Sequence, residues 1–309
     1  MIQSYIQVSR KAWAYSNQAY ETRPGERKKL KRHLRWTLLS VIREASVQGW
    51  FAFLDEPVIR PFLAANPRLA FRPMGTYMSR RWAWSKRFKV IRDTYVFINA
   101  KGGAFQEAML REDGLLLARI PLEKAGDLVL RMRADPQFRK EGEVGVFLEF
   151  EGIQGAISSF AFSLEHRSAG WACYLGALQG RKGGDEDVIK LATKAMHGLR
   201  PKALMAFAAQ EIARSLRVST LLGVGNDIHV ARARVLGSAR KVLFDYDDLW
   251  RETGGEPQPD GWFVLPLKAS RRGGEEIKPN KRSMYAKRYA LMDTLSRQIR
   301  TILTASWSS

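Results

Sequence analysis

The sequence predicts an α+β protein in which a mixed, largely antiparallel sheet is flanked by helices. The prediction rests on helical apolar periodicity in the first third of the chain, closely spaced β-rich segments after it, and a return to helical periodicity at the C-terminus. A chain of 309 residues can hold one large domain or two smaller ones. We predict a basic, mainly helical region over residues 1–110 and an α+β domain with a C-terminal helix over residues 111–309.

The N-terminal region begins with an amphipathic pattern in residues 28–54. Its apolar residues recur at helical spacing, opposite Arg and Lys: Leu30, Leu34, Leu38, Val41, Ile42 and Ala45. This pattern predicts a helix that ends near Gly49, with a second helix after Pro57. Residues 77–98 mix six basic residues with six aromatic ones, and both a helix and an extended segment fit them.

Five β-rich segments follow, and they are separated by short connections. They are residues 115–122, 127–133, 144–152, 156–165 and 171–180. Short connections favour pairing between successive strands, so these segments predict an antiparallel meander.

The last part of the chain alternates helical and strand patterns. Helices are predicted at 185–197, 201–216, 227–238 and 283–303, and strands at 218–225, 241–250 and 261–267. The apolar face of the final helix is predicted to comprise Tyr285, Tyr289, Met292, Leu295, Ile299 and Ile302.

The charge is concentrated at the two ends. The net charge is +20, of which residues 1–100 carry +13 and residues 251–309 carry +5. With 45% hydrophobic residues the chain is not of the disordered class. A field of this sign attracts polyanions, so we expect an anionic partner such as CoA phosphates, lipid head groups, lipopolysaccharide-like surfaces or nucleic acid.

The single cysteine, Cys173, excludes an internal disulfide and a thiolate metal cluster, and fits a reducing compartment. Residues 1–15 have no continuous apolar stretch of the signal-peptide kind, and no apolar run is long enough for a transmembrane helix. These features predict a cytoplasmic protein, with peripheral contact to the inner membrane left open.

The first candidate site is the stretch "MHGLRPKALMAF", residues 196–207. Pro201 suits the first turn of a helix, and Arg200 and Lys202 place cations at the positive end of that helix dipole. An anion bound there would relieve the repulsion, so we predict an anion-binding turn. Alternatively, both cations are solvated, and His197 and Gly198 only end the preceding helix.

The second candidate is His229, which follows a predicted buried strand and lies beside Asn226 and Asp227. An acid so near a histidine could orient it as a general base. Alternatively, Asn226 or Asp227 caps the next helix and His229 is structural.

The third candidate is the acidic and aromatic segment of residues 245–250. Asp245, Asp247 and Asp248 could bind a metal, neutralise a basic substrate or pair with arginines, and Tyr246 and Trp250 are further candidates beside them. No second ligand cluster occurs at a metal-like spacing, so structural pairing is favoured and no metal site is predicted.

The aromatic and basic residues of 77–98 admit three roles. They could stack nucleobases, lie in a membrane interface, or form core with arginine stems packed over it. The sequence contains no zinc knuckle, RNA-recognition motif, Walker A, dinucleotide-binding or nucleophile-elbow motif.

Four blocks resemble the bacterial VirK/YbjX family. They occur in order: "LATKAMHGLRPKALMAFAA", "GVGNDIHVARAR", "FDYDDLWRETGG" with "WFVLPL", and "KPNKRSMYAKRYALMDTL". The resemblance extends from about residue 30 to 303. It implies a Gram-negative protein linked with surface remodelling, virulence and resistance to antimicrobial peptides, of undetermined biochemical activity.

The order of elements after residue 171 also resembles the GNAT acyltransferases. In that fold a turn and a helix N-terminus hold the pyrophosphate of acyl-CoA through an Arg/Gln-x-x-Gly-x-Gly/Ala motif. The corresponding residues here, 197–203, lack the second and third glycines, and Pro201 removes an amide donor, while Arg200 and Lys202 offer cations.

This second resemblance implies acyl-CoA as the cofactor. The implied cofactor-binding residues are His197, Gly198, Arg200, Lys202 and Asn226. The implied base is His229 or Glu151, the latter because it ends a predicted central strand before Gly152.

Two functions therefore remain open from the sequence. One is an acyl-CoA-dependent acyltransferase. The other is a non-enzymatic cationic protein that binds anionic lipid, polysaccharide or RNA.

Overall fold

The predicted combination of helices and one mixed sheet is confirmed. The computed structural model describes residues 2–21, 25–123, 126–181, 185–232, 245–273 and 275–305. Within these ranges the helices are α1 (Ile2–Tyr20), α2 (Glu26–Ile42), α3 (Glu44–Leu54), α4 (Arg60–Ala65), α5 (Trp84–Ala100), α6 (Gly103–Leu110), α7 (Glu186–Ala195), α8 (Pro201–Ser215), α9 (Tyr246–Glu252) and α10 (Arg282–Ala305).

The described strands form one sheet in the order β1-β2-β3-β4-β5-β6-β8-β7. Their bounds are β1 (Leu115–Leu122), β2 (Gly126–Ala134), β3 (Val144–Phe150), β4 (Ser158–Arg167), β5 (Gly170–Gly180), β6 (Thr220–Val224), β7 (Glu256–Pro257) and β8 (Trp262–Leu265). β5 and β6 pair in parallel, and every other neighbouring pair is antiparallel. The predicted meander of the first five strands is confirmed.

The sheet is packed on both faces at its centre. Residues 158–165 of β4 are all buried, and β4 contacts both α5 and α8. The C-terminal helix α10 packs against α8 and β1 and buries Met292, Leu295 and Ile299. The buried apolar residues form one large cluster that includes residues of α1, α3, α4, α5 and the sheet.

The N-terminal amphipathic segment differs from its prediction. The helix ends at Ile42 rather than near Gly49, because Arg43 leaves helical geometry (φ −116°, ψ 29°), and α3 begins at Glu44. α3 then buries Val47 and Trp50. Four residues of the predicted apolar face remain exposed: Leu30, Leu34, Leu38 and Ile42.

The predicted strand at 241–250 is wrong where the structure describes it. Residues 246–252 form α9, and residues 241–244 lie outside the described residues. Asp245 is the N-cap, because its carboxylate accepts a hydrogen bond from the backbone N–H of Asp248 at 3.1 Å. The predicted helix at 227–238 is also wrong as far as it is described, since residues 230–232 form one 3₁₀ turn and 233–238 are not described.

The aromatic and basic segment is helical from Trp84 onward, and its aromatic residues contribute to the core. Trp82 lies 5.3 Å from the Trp262 ring and 5.0 Å from the Tyr174 ring, measured between centroids. Tyr95 and other aromatic residues of this segment are buried. No helix in the described part of the chain is both long enough and apolar enough to span a bilayer.

A buried ion pair joins the N-terminal region to the sheet. The side chains of Arg72 and Glu143 are 5% and 0% exposed and form a salt bridge. The Tyr95 hydroxyl donates to Glu143 Oε2 at 2.6 Å. Burial alone lowers the pKa of Arg72, but the charge of Glu143 outweighs it and holds that pKa above its ordinary value.

Candidate functional site

A cavity of about 710 Å³ opens at the N-terminus of α8. It lies between the end of β5, helix α7 and helix α9. Its lining comprises Ile157, Gly180, Ile189, Lys190, Thr193, Lys194, Arg200, Pro201, Lys202, Ala203, Asp245, Asp248, Leu249 and Glu252. One wall is therefore cationic, the α9 wall is acidic, and apolar side chains lie among them.

The turn between α7 and α8 has the geometry of a helix C-terminus. His197 (φ 53°) and Gly198 (φ 76°) both adopt the left-handed conformation, and Gly198 N–H donates to the Thr193 carbonyl at 2.8 Å. The His197 carbonyl accepts from Arg288 Nη2 at 3.1 Å. His197 and Gly198 therefore end α7, and neither lines the cavity.

Arg200 and Lys202 line the cavity, as the anion-turn prediction requires. Arg200 is the extended N-cap of α8, and its side chain makes no capping hydrogen bond. Burial lowers the pKa of Lys202. Lys190 and Lys194 of α7 face the same space. Negative charge stabilises a cation at a helix N-terminus, and the acidic residues Asp245, Asp248 and Glu252 line the same cavity.

Asn226 links the end of β6 to α9 and does not line the cavity. Its Nδ2 donates to Asp245 Oδ1 at 2.6 Å, and its Oδ1 accepts from the Tyr246 backbone N–H at 2.9 Å. Its own backbone N–H donates to Asp247 Oδ1 at 2.7 Å. The Asn226 hydrogen bond lowers the pKa of Asp245. The acidic segment thus holds the N-terminus of α9.

Trp250 packs α9 against β6 of the sheet. Its indole is fully buried, its Nε1 donates to the Val224 carbonyl at 2.8 Å, and its ring packs on Gly223. A Cβ at residue 223 would overlap that ring, which fixes the close approach of α9 to β6.

His229 is buried against Tyr246, beside the cavity rather than in its lining. The two rings stack with centroids 4.9 Å apart and planes 20° apart. His229 Nδ1 accepts from the Ala231 backbone N–H at 3.1 Å, so a neutral ring carries its proton on Nε2. Asp227 does not orient this ring, because its carboxylate pairs with Arg80 at 2.7 Å and with Arg81.

A β-bulge in β5 lies two residues before Leu178, which Tyr246 contacts, and sequence reasoning missed it. The register of β4 and β5 shifts between Ala161 and Phe162, which leaves Gly176 as the extra residue. The Glu141 carbonyl packs directly on Gly176, where any Cβ would overlap it. A glycine inside the strand pattern "WACYLGALQG" was the available signal.

The side chains around this bulge are desolvated. Burial raises the pKa of Glu141 above its ordinary value. Burial also raises the pKa of Tyr246, against a hydrogen bond from the Leu178 backbone, and the charge of Glu141 raises it further. We call Glu141, Gly176, His229 and Tyr246 the bulge cluster. The Glu141 carboxyl and the Tyr246 phenol therefore hold their protons to higher pH than an ordinary glutamate and an ordinary tyrosine do.

Glu151 lies apart from both features. It sits in the exposed turn after β3, its side chain is 62% exposed, and its Oε2 is 3.7 Å from Arg119 Nη1. It lines neither the cavity nor the bulge cluster. Among the described residues, no group of three or more His, Cys, Asp or Glu side chains is arranged to hold a metal ion.

Comparisons with known proteins give one family. A family model described as "Protein of unknown function (DUF535)" matches residues 25–301. The uncharacterized protein YbjX of Escherichia coli (strain K12) is 28% identical over 273 residues, 87% of this chain and 82% of that protein. An uncharacterized protein of Haemophilus influenzae is 26% identical over 289 residues, 93% of this chain and 94% of that protein. The membrane protein LapB of Mannheimia haemolytica is 22% identical over 217 residues, 68% of this chain and 87% of that protein. No solved structure matches significantly. The resemblance to the VirK/YbjX family is thus confirmed.

Proposed function

The chain belongs to the DUF535 family, and we propose that it is an acyltransferase that takes its acyl group from acyl-CoA. The observation that carries the proposal is the cavity at the N-terminus of α8, where Lys190, Lys194, Arg200 and Lys202 face one space. A convergence of cations on a helix N-terminus is suited to phosphate groups.

The cavity fits such a ligand in size and in chemistry. Its volume of about 710 Å³ lies within the range of small-molecule sites. Ile157, Ile189 and Leu249 supply apolar wall for the uncharged part of the molecule. The lowered pKa of Lys202 supports a phosphate ligand, because a phosphate would favour the charged form of the side chain that burial disfavours.

The strand order supports the proposed likeness to GNAT enzymes. β5 leads through α7, the turn and α8 to the parallel strand β6, after which α9 and two antiparallel strands follow. The last parallel pair is Leu175 with Gly223, so β5 runs on to Gly180 without β6 beside it. Tyr246 approaches β5 at Leu178, in the stretch where the two strands have parted.

Acyl-CoA would supply an activated thioester, and the chain would handle the protons. Transfer forms a bond from the acceptor's nitrogen or oxygen to the acyl carbon and breaks the carbon–sulfur bond. A base must take the acceptor's proton, and an acid must protonate the departing thiolate. We assign the base to Glu141, whose backbone packs on β5 at Gly176, and the acid to Tyr246, which approaches β5 at Leu178.

His229 receives a different role from the one implied by the GNAT resemblance. Because Nδ1 already accepts a backbone N–H, Nε2 of the neutral ring is a donor and not a base. We assign His229 as a positioning residue that holds the Tyr246 ring by stacking.

Removal of two cavity cations is expected to weaken cofactor binding. Arg200→Ala with Lys202→Ala should raise the dissociation constant for CoA and acetyl-CoA about tenfold or more, because both ion–phosphate contacts are lost. Isothermal titration calorimetry measures this directly. A matched double variant of exposed α10 arginines, Arg297→Ala with Arg300→Ala, should bind as the wild type does. The cofactor proposal would be contradicted if folded protein gave no binding heat with CoA or with short and long acyl-CoA.

Glu141→Gln is expected to lower the rate of acyl transfer without lowering the stability of the fold at neutral pH. A carboxyl whose pKa is raised by folding binds protons more tightly in the folded state. Its contribution to stability therefore falls as the pH rises from 4.5, the ordinary pKa, through the raised pKa of the folded state. At pH values above the raised pKa, the substituted glutamine carries no desolvated negative charge, so the variant should be at least as stable as the wild type. Its rate of acyl transfer should fall about 100-fold. Thermal unfolding at acidic and neutral pH and a thiol-release assay measure the two effects. A variant that keeps full transfer activity contradicts the assigned base.

The proposal places this activity at the cell envelope. The resemblance to the VirK/YbjX family supports an envelope role in virulence and antimicrobial-peptide resistance, and one relative carries the name membrane protein. Transfer of an acyl group to an envelope component would alter the surface that cationic peptides meet.

A further inference from the structure

Helix α2 exposes a row of large apolar side chains. Leu30, Leu34, Leu38 and Ile42 are 51%, 56%, 61% and 63% exposed. They recur every four residues, so they form a stripe along the solvent side of the helix. We call these four residues the leucine stripe.

The opposite side of α2 holds the helix in place. His33 Nδ1 and Ser16 Oγ are 2.6 Å apart, and Trp36 Nε1 donates to the Tyr20 hydroxyl at 2.9 Å. The Trp36 ring stacks on Phe71 with centroids 5.1 Å apart. The fold therefore buries the polar and aromatic side of α2 and leaves its aliphatic side uncovered.

Cations lie on the same exposed face. Helix α2 has six Lys and Arg residues and one Glu. Arg27, Lys31 and Arg35 are exposed and repeat every four residues beside the leucine stripe. Among the described residues, none of these three is in an ion pair.

We propose that the exposed face of α2 docks onto an anionic lipid bilayer, with the leucine stripe in the acyl boundary and the cations at the head groups. An aliphatic stripe beside Lys and Arg is the pattern of a helix that lies in a membrane interface. A second copy of the same face would bring like charges together, and nucleic acid would leave the aliphatic side chains in water.

Trp13 of α1 is a further exposed aromatic residue, next to the side of α2 that faces α1. Its ring lies 5.0 Å from the His33 ring, and it is 40% exposed. Tryptophan is enriched where one side of a protein is apolar and the other is wet. The docking surface is separate from the cavity residues, so the inference holds whether or not the cavity binds acyl-CoA.

Vesicle flotation of the full-length protein tests the inference. We expect binding to phosphatidylcholine vesicles that contain phosphatidylglycerol, weaker binding as salt rises, and little binding to phosphatidylcholine alone. Leu34→Gln with Leu38→Gln should lower the partition coefficient about tenfold or more. Because both side chains are exposed, this variant should fold, which thermal unfolding checks.

The matched control is Val96→Gln with Leu191→Gln, which removes apolar side chains that are 43% and 42% exposed on other helices. This control should float with anionic vesicles as the wild type does. Equal flotation of the stripe variant and the wild type overturns the proposal. So does a dimer in sedimentation velocity that the stripe variant converts to monomer, or an RNA affinity that the stripe variant loses while vesicle binding is absent.

Discussion

Replacement of Arg72 by Met is expected to lower the free energy of unfolding by about 3–5 kcal/mol. Met fills similar volume but leaves the Glu143 carboxylate, which is fully buried, without its counter-ion. Tyr95 still donates to Glu143 Oε2, and one neutral hydrogen bond does not compensate a desolvated charge. Urea unfolding followed by circular dichroism measures the loss.

A double-mutant cycle separates the pair from its parts. Glu143→Gln alone should also destabilise, since it leaves the Arg72 guanidinium buried without an anion. Arg72→Met with Glu143→Gln should cost clearly less than the sum of the single losses, because neither charge remains. The control is Arg271→Met, which breaks an exposed pair with Asp293 and should cost less than about 1 kcal/mol. Additive losses in the cycle would contradict the coupling.

Gly176→Ala is expected to destabilise the protein by about 3 kcal/mol and to disturb the bulge cluster. A Cβ at this position would overlap the backbone carbonyl of Glu141, which no rotamer change can relieve. β5 must move relative to Glu141, and Tyr246 packs near Leu178 on the displaced part of β5. Thermal or urea unfolding measures the loss of stability.

Gly49→Ala is the control for that prediction. Gly49 is exposed inside α3, and a Cβ there would meet no atom within 4 Å. Alanine is the better helix former, so this variant should gain about 0.5–1 kcal/mol. If Gly176→Ala is as stable as Gly49→Ala, the close approach at the bulge is not a constraint.

The strands were predictable because each carries its own local signal. The β-rich runs and the short connections between them, such as that between β4 and β5, gave the meander and its bounds to within two residues. Helix α8 was equally clear from Pro201 and the apolar run after it. Helix α9 was missed because "KVLFDYDDLW" reads as β-rich, whereas the N-cap of Asp245 decides its last residues.

The candidate site was predictable only in part. Arg200 and Lys202 carry a local charge conflict at a helix start, and that conflict pointed to the cavity which they line. The bulge cluster left no such pattern, since Glu141, Gly176 and Tyr246 come from three distant segments. Glu151 was chosen for its place at a strand end, but a strand end does not say which neighbours a side chain meets.

The sequence by itself determined the fold class, the order of the strands along the chain, the family and the excess of positive charge. These depend on periodicity, turn residues and composition, which act over a few neighbouring positions. Only the tertiary structure decided that the leucine stripe of α2 stays in solvent and that Glu141 comes to the Gly176 bulge beside Tyr246. Amphipathic periodicity marks an apolar face but not what covers it, and contacts between distant segments arise only when the whole core packs.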